Sequence, residues 1–424
     1  MTPHNNIVNT SISTENNKDI RISKYILLSH LYFFCNALFL PKGLLYTTVL
    51  SPYFFYRQLV NRRYTWWREF LIILLLFNAV HLFTGVNSLY FIRSNLYFIL
   101  TYFSVVSIYY FIKYYQNLSQ VFKTIVIVNF VMAVIAIPFF FMEPQYQDWF
   151  WWVNREALGK HEFPRLKLFT YEASYYSLLM VPVIYYYVFK FLFGQIKYNK
   201  YQTLFIVLMP LFMSMSFGVI GATALSGIIL AVVFHKKLLK YKKPFIISMS
   251  IVFIIILGVA ILFIFFPLSN ITLRLLSILQ GTDTSANGRT SDSFGLAWYL
   301  INKSNIWFGI GLGQIKLQIE ELVREHFSYW GNYTRYDIPN AMAETLAIFG
   351  ILGAIGRLAL ELYLFFRTKV YANYYQLALF LFVFIYQFTG SFITNIVEYV
   401  IWILAFSNVF KQFDVRQKHN KSLE

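Results

Sequence analysis

Charge is scarce in this chain of 424 residues, where only 13% are Asp, Glu, Lys or Arg. A soluble domain cannot cover its surface with so little polarity. Cysteine is nearly absent too. The single Cys35 lies in an apolar run, which excludes a disulfide framework and a cysteine-based metal site and leaves the redox compartment unread. There is no HExxH, no paired Cys and His ligand set, no Walker loop and no Asp-x-Asp to hold a metal on a nucleotide sugar. These gaps point to electrostatic chemistry with no metal and no cofactor. A signal peptide's apolar core is also missing from the first residues, TPHNNIVNTSISTENNKD, so 1–23 reads as a disordered cytoplasmic tail.

What is abundant is apolar and aromatic: 58% hydrophobic residues, 21% aromatic and a mean hydropathy of +0.54. The expected fold is all-α, a polytopic integral membrane protein with about twelve spans of roughly 20 residues each. The spans fall near Tyr25–Leu40, Leu44–Val60, Phe70–Val86, Leu96–Tyr115, Thr124–Met142, Ala173–Leu192, Thr203–Phe217, Ile220–Phe234, Phe245–Phe266, Met342–Phe366, Leu377–Gly390 and Ile393–Val409. The net charge of +17 does not imply nucleic acid, because its distribution follows the positive-inside rule. Arg57, Arg62, Arg63, Arg68, the run HKKLLKYKK, Arg367 and Lys369 fall on one side; only Lys42 and Arg93 occupy the short connections on the other. Both termini are therefore expected in the cytoplasm. The division is 24–142 N-terminal spans, 143–171 first long outer loop, 172–267 central spans, 268–340 second long outer loop, 341–410 C-terminal spans and 411–424 cytoplasmic tail.

The chemistry is expected in the two loops. In RLKLFTYEASYYS, Arg165 and Lys167 precede Tyr171 and Glu172 at the start of a span, a polar pocket where a lipid head group fits; an ordinary helix cap is the alternative. In the second segment Arg289 follows a Gly- and Ser-rich turn and precedes Phe294–Ile301, an amphipathic helix expected to lie on the membrane. GIGLG after Trp307 is an apolar turn and does not satisfy the GxGxxG nucleotide fingerprint. Further on come His326, Arg335, Asp337, Asn340 and Glu344; a glutamate one turn into a span faces a cavity or a partner in preference to lipid. Arg357 and Glu361, four residues apart, are expected to form a simple ion pair near the inner end. His81 is expected to be a packing residue.

At RLKLFTYEASYYS, NGRTSDSFGLAWYLINKSNIWFGIGLG and PNAMAETLAIFGILG the chain resembles the bacterial O-antigen polymerase family, the Wzy type, related to the O-antigen ligases. The resemblance implies a GT-C-like glycosyltransferase of lipopolysaccharide biosynthesis in the bacterial inner membrane. Its partners would be undecaprenyl-diphosphate-linked donor and acceptor oligosaccharides, membrane lipid and a polysaccharide chain-length regulator. It further implies that Arg165 and Arg289 hold the donor diphosphate, since guanidinium groups match phosphate oxygens and stabilise a leaving group's charge. His326 and Glu172 are candidate bases for the acceptor hydroxyl, and Lys167, Tyr171, Arg335, Asp337, Asn340 and Glu344 are candidates for substrate binding. Ligases often carry His directly before the Asn of the following span, whereas here Pro339 precedes Asn340. That departure favours polymerase over ligase. A flippase or exporter would line a path through its spans with polar groups, and most ionisable residues here fall in the outer loops.

Overall fold

The computed structural model describes residues 67–114, 117–153, 164–196, 199–234, 270–317 and 338–415, with 53, 55, 56, 59, 60, 264 and 265 besides. The expected spans Tyr25–Leu40, Leu44–Val60 and Phe245–Phe266 lie wholly or mainly outside these residues, as do the tail 1–23 and the HKKLLKYKK run. The described part is an almost all-helical membrane protein. Its helices are α1 (Trp67–Phe83), α2 (Ser88–Tyr114), α3 (Leu118–Phe140), the single turn α4 (Pro144–Gln147), α5 (Ala173–Leu192), α6 (Lys200–Ser214), α7 (Phe217–Val233), α8 (Asn270–Leu279), α9 (Thr284–Arg289), α10 (Ser291–Lys303), α11 (Ala341–Arg367), α12 (Tyr374–Tyr386) and α13 (Ile396–Phe406). Two-residue strands β1 (Trp151–Trp152) and β2 (Arg165–Leu166) pair antiparallel between α4 and α5. By length and composition four helical stretches can cross a membrane: Ser88–Lys113, Leu118–Phe140, Ala173–Leu192 and Ala341–Arg367.

Burial sorts these helices into two apolar clusters. The larger joins α3, α5, α6, α7, α12 and α13 around Tyr176, Phe122, Tyr375 and Phe382. α5 is covered along most of its length, so Ser174 and Ser177 are buried with their apolar neighbours and satisfy themselves on the helix backbone or on Glu172. The smaller cluster holds α1, α2, α10 and the start of α11, with Leu296, Ala297, Leu300, Ala343 and Ala347 interlocked. The amphipathic stretch Phe294–Ile301 is indeed helical, within α10, but its apolar stripe packs on α11. The groove along α11 offers this stripe side chains that lipid cannot match in shape.

α11 is not one straight rod. Gly350 sits at φ 67, ψ −166, and the helix breaks there into arms 341–349 and 351–367. In a continuous helix Arg357 would stand ~24 Å from Ala341. Instead its Nη1 lies 3.4 Å from the Ala341 carbonyl and 3.1 Å from Thr345 Oγ1, so the arms fold back on each other as a hairpin. A Cβ at Gly353 would come within 2.2 Å of the Phe349 side chain, and the small residue there lets the arms approach. The apex is gripped by the GIGLG turn. Ile310 and Gly311 N–H donate to the Ala347 and Ile348 carbonyls at 3.0 Å, and Ile351 and Leu352 N–H donate to Ile306 and Trp307 at 3.0 and 3.1 Å. The backbone groups released by the break are thereby satisfied away from water. Asn305 Oδ1 accepts from the Trp307 and Phe308 amides at 3.0 Å and shapes the turn. His81, fully buried, places Nε2 2.8 Å from the Phe308 carbonyl, in keeping with a packing role.

The far end of the bundle is tied by Asn373. Its Oδ1 caps α12 through the Tyr375 and Gln376 amides at 3.0 and 3.2 Å, while Nδ2 donates to Phe410 O at 2.9 Å and Asp414 Oδ1 at 2.7 Å. Residues 411–415, the start of the expected tail, are thus packed, and Phe413 is fully buried.

Gly350→Ala should destabilise the protein by roughly 2–3 kcal/mol, because it adds a strained positive φ to a clash with a backbone carbonyl. A Cβ at Gly350 would meet Trp307 O at 2.4 Å, whereas one at Gly356 would have nothing within 4 Å. Thermal unfolding in detergent should therefore separate G350A from a near-neutral G356A; equal melting of the two would refute the hairpin.

Candidate functional site

The first outer segment is organised by its tryptophans. Trp151 donates Nε1–H to Ala136 O at 2.8 Å, which seats β1 on α3. Trp152 faces Arg165 across the β1–β2 pair, and the Arg165 guanidinium lies 4.3 Å from the centre of the Trp152 ring. Such stacking holds a planar cation in one orientation at little conformational cost. The chain then turns: Lys167 and Leu168 N–H both donate to Phe150 O, at 2.9 and 3.0 Å, and the Thr170 hydroxyl bridges the Lys167 and Glu172 carbonyls at 2.7 and 2.8 Å. Burial pushes the Lys167 amine below the usual lysine range, against the pull of Asp148. Glu172 occupies the N-cap position of α5 with extended backbone, but its carboxylate takes the Ser174 hydroxyl and caps no amide. Beside the apolar lining Ile137, Phe140, Phe141, Trp151, Phe212 and Met213 lies a depression of about 310 Å³.

The second segment delivers Arg289 at the end of α9. Asp283 caps that helix by accepting from the Ala286 amide at 2.6 Å, and Ser293 Oγ–H binds Gly288 O at 2.6 Å. The Arg289 carbonyl receives Asn340 Nδ2–H at 2.7 Å; the same amide nitrogen gives its other hydrogen to Phe388 O at 2.6 Å, and Asn340 Oδ1 accepts from Ala343 N at 2.9 Å. Asn340 is fully buried. Both of its donors are committed to backbone, so it positions Arg289 and the α12–α13 connection.

Tyr171 is where the two segments meet. Burial holds its hydroxyl well above the usual tyrosine range; Glu172, Tyr175 and Tyr386 push the same way, and the Arg289 charge opposes them. Yet 38% of Tyr171 remains accessible. Glu172 and Arg289 also both act on Tyr386, at the end of α12. The charges of Glu172 and Arg289 thus act on the same two tyrosines, and Arg165 is held on Trp152.

A charged cluster that loop-by-loop reading missed joins α11, α12 and α13. Arg357 Nε pairs with Glu361 Oε1 at 3.1 Å, as the spacing predicts, but Nη2 also binds Glu398 Oε1 at 2.5 Å. Gln387 Nε2 donates to Glu361 Oε2 at 2.8 Å, and Trp402 Nε1 approaches Glu398 Oε1 at 3.4 Å. Glu398 is 2% exposed. The expected simple pair near the inner end is corrected: hairpin folding of α11 carries Arg357 back beside Ala341. Glu344 accepts from Ile393 N at 2.6 Å, so its carboxylate points to the α12–α13 connection. A carboxylate inside NIVEYVIWILAF was the signal for Glu398, since an ionisable group within a span marks function by default. His326, Arg335 and Asp337 lie outside the described residues.

Residues 202–358 match the family model described as O-antigen ligase. The matched stretch runs from α6 into the second arm of α11 and includes Arg289, Asn340, Glu344 and Arg357. Over this stretch the resemblance to the O-antigen polymerase and ligase group is borne out, and the match supports a membrane enzyme of that type. A comparison with curated proteins finds no match.

Asn340→Ala would strand two buried carbonyls and remove a helix cap, a loss of roughly 2–4 kcal/mol. Asn340→Asp keeps the cap and puts an anion against the same carbonyls, so it should rescue little; full stability of N340D in a melting assay would count against the donated bonds. Lys167, with its amine shifted down, should become neutral and acylate at lower pH than an ordinary lysine, as read by mass spectrometry across a pH series.

Proposed function

We propose that this protein is an O-antigen polymerase that transfers a growing glycan from undecaprenyl diphosphate to the non-reducing end of a lipid-linked repeat unit. The reading is supported by the charges of Arg289, from one segment, and Glu172, from the other, which both act on Tyr171. Arg289 and Arg165 hold the donor's diphosphate through planar, charge-assisted hydrogen bonds. The apolar depression beside Trp151 suits an isoprenoid chain. The acceptor hydroxyl attacks the donor's anomeric carbon, forming a new C–O bond while the bond to the diphosphate oxygen breaks. The electron pair goes to the diphosphate, where the guanidinium groups stabilise it, and the hydroxyl proton goes to a base.

Glu172 and His326 are the bases proposed for that step, and Lys167, Arg335, Asp337 and Glu344 are proposed to contact sugars or phosphate. Asn340 is proposed to act through Arg289, whose carbonyl it binds. The site would face the periplasm across the bacterial inner membrane, with both termini cytoplasmic and a chain-length regulator as partner. Ligase is the second reading, favoured by the description of the matching family. It uses the same donor and differs in acceptor, and Pro339 before Asn340 weighs for polymerase. The ionisable groups of α11–α13 gather in one cluster, an arrangement that suits a reaction site better than a path through the spans.

Arg289→Ala should leave cells with a single repeat on the lipid A core while the protein stays in the membrane. Arg289→Lys should rescue poorly, because a point charge lacks the bidentate fork. Normal polymer ladders from well-expressed R289A would defeat the assignment, and full-length polymer stranded on the carrier would make the enzyme a ligase.

A further inference from the structure

Residues 141–150, which lead from α3 to β1, carry two carboxylates, Glu143 and Asp148, and no Lys, Arg or His, in a chain whose net charge is +17. They also carry two rings that the protein leaves open: Trp149 is 55% exposed and Tyr146 is 45% exposed. Neither ring is loose. Trp149 lies nearly parallel to Phe139 at the end of α3, with ring centres 6.1 Å apart and an interplanar angle of 23°, and Tyr146 meets Trp149 at 6.4 Å and 66°. Phe139 in turn packs edge to face with the buried Phe150 at 4.8 Å. The backbone beneath is fixed as well. Tyr146 N–H donates to Glu143 O at 3.0 Å, Trp149 N–H donates to Tyr146 O at 3.2 Å, and Gln147 Nε2 donates to Phe140 O at 3.0 Å. The rings are thus oriented before any ligand arrives, and binding one costs little further ordering.

Exposed rings just beyond a span commonly anchor a protein in the bilayer interface. Here such an anchor would press two carboxylates against lipid phosphates of like charge. A pyranose ring suits the composition better, because it presents an apolar face of C–H bonds and a rim of hydroxyls. Trp and Tyr offer a flat apolar body to the face, and carboxylates accept from the rim. Gln145 Nε2 donates to Glu143 Oε2 at 3.1 Å and orients that carboxylate. The same two charges repel an acidic sugar. The rings are also tied to the strand pair that carries Arg165. Trp149 precedes Trp152 by three residues, a reach of at most ~11 Å along the chain, and the Arg165 guanidinium lies over Trp152. Between them, Phe150 O holds the Lys167 and Leu168 amides.

We propose that Trp149 and Tyr146 form a subsite for uncharged pyranose rings of the glycan, beside Arg165. The assignment rests on the polymerase or ligase reading above for the presence of a glycan, and it adds the class of sugar that this subsite takes. One sugar stacks on the open side of Trp149, Tyr146 borders it, and Glu143 and Asp148 accept its hydroxyls.

Binding is measured on full-length protein in lipid nanodiscs by saturation-transfer NMR, with the delipidated surface polysaccharide of the cells that make the protein as the probe. Saturation of aromatic protons should pass to sugar C–H protons. Trp149→Ala should weaken binding about tenfold and Tyr146→Ala about threefold, the range of single aromatic contacts, while Trp149→Phe keeps most of the affinity. Phe141→Ala removes an 80% exposed ring outside the pair and should change nothing. Unchanged melting temperatures for these variants separate a lost contact from a lost fold. In a transfer assay with lipid-linked repeat units, W149A should raise KM with kcat unchanged. Wild-type affinity in W149A, an equal loss in F141A, or no binding by the wild-type protein overturns the proposal. So does quenching by doxyl-labelled phosphatidylcholine that disappears in W149F, since it would seat Trp149 among lipids. If polysaccharide binds through Trp149 but the wild-type protein transfers no glycan, the subsite stands and the transferase reading is what fails.

Discussion

A guanidinium placed among apolar helices has to find carboxylates, and the one on Arg357 organises everything around it. To reach Glu398 on α13 and Glu361 on its own arm, and to donate to Thr345, it requires α11 to turn back at Gly350. That reversal needs the GIGLG backbone against the hairpin apex. Breaking a buried pair by removing one partner is strongly destabilising, on the order of 3–5 kcal/mol, even where the intact pair adds little. The cluster thus acts as a specificity device that selects one arrangement of α11, α12 and α13.

The two segments that carry Arg165 and Arg289 are held by different routes. The first is stiffened by rings: Trp151 is anchored on α3, and Trp152 carries Arg165. The second is stiffened by caps and carbonyls, with Asp283 before α9 and Asn340 after Arg289. Neither route depends on a long loop holding its own shape, which accords with sites that need fixed geometry on otherwise mobile connections.

Much of this was legible in the sequence, and unevenly so. α5 was readable to the residue, because Glu172 precedes an unbroken apolar run that ends before Gly194 at φ 68. The amphipathic period of α10 was readable as well, but its partner was not, since an apolar stripe looks the same whether lipid or α11 covers it. The break in α11 left no trace in hydropathy. FGILGAIG is equally apolar straight or folded, and the turn that grips it lies about forty residues earlier in the chain. Arg289, Glu172 and Tyr171 stood out by residue type and position, whereas their proximity depends on tertiary packing. Arg357 and Glu361 were read as a pair by their spacing, and the third member was lost because Glu398 comes from a different helix.

Asn340 serves two carbonyls, Arg289 and Phe388, with the two hydrogens of one nitrogen. A rigid planar amide fixes the angle between them, so neither segment can slide without loosening its counterpart. The end of α9 and the stretch after α12 thus hang on one side chain, and that stretch is tied in turn to α11 through Gln387 and Glu361.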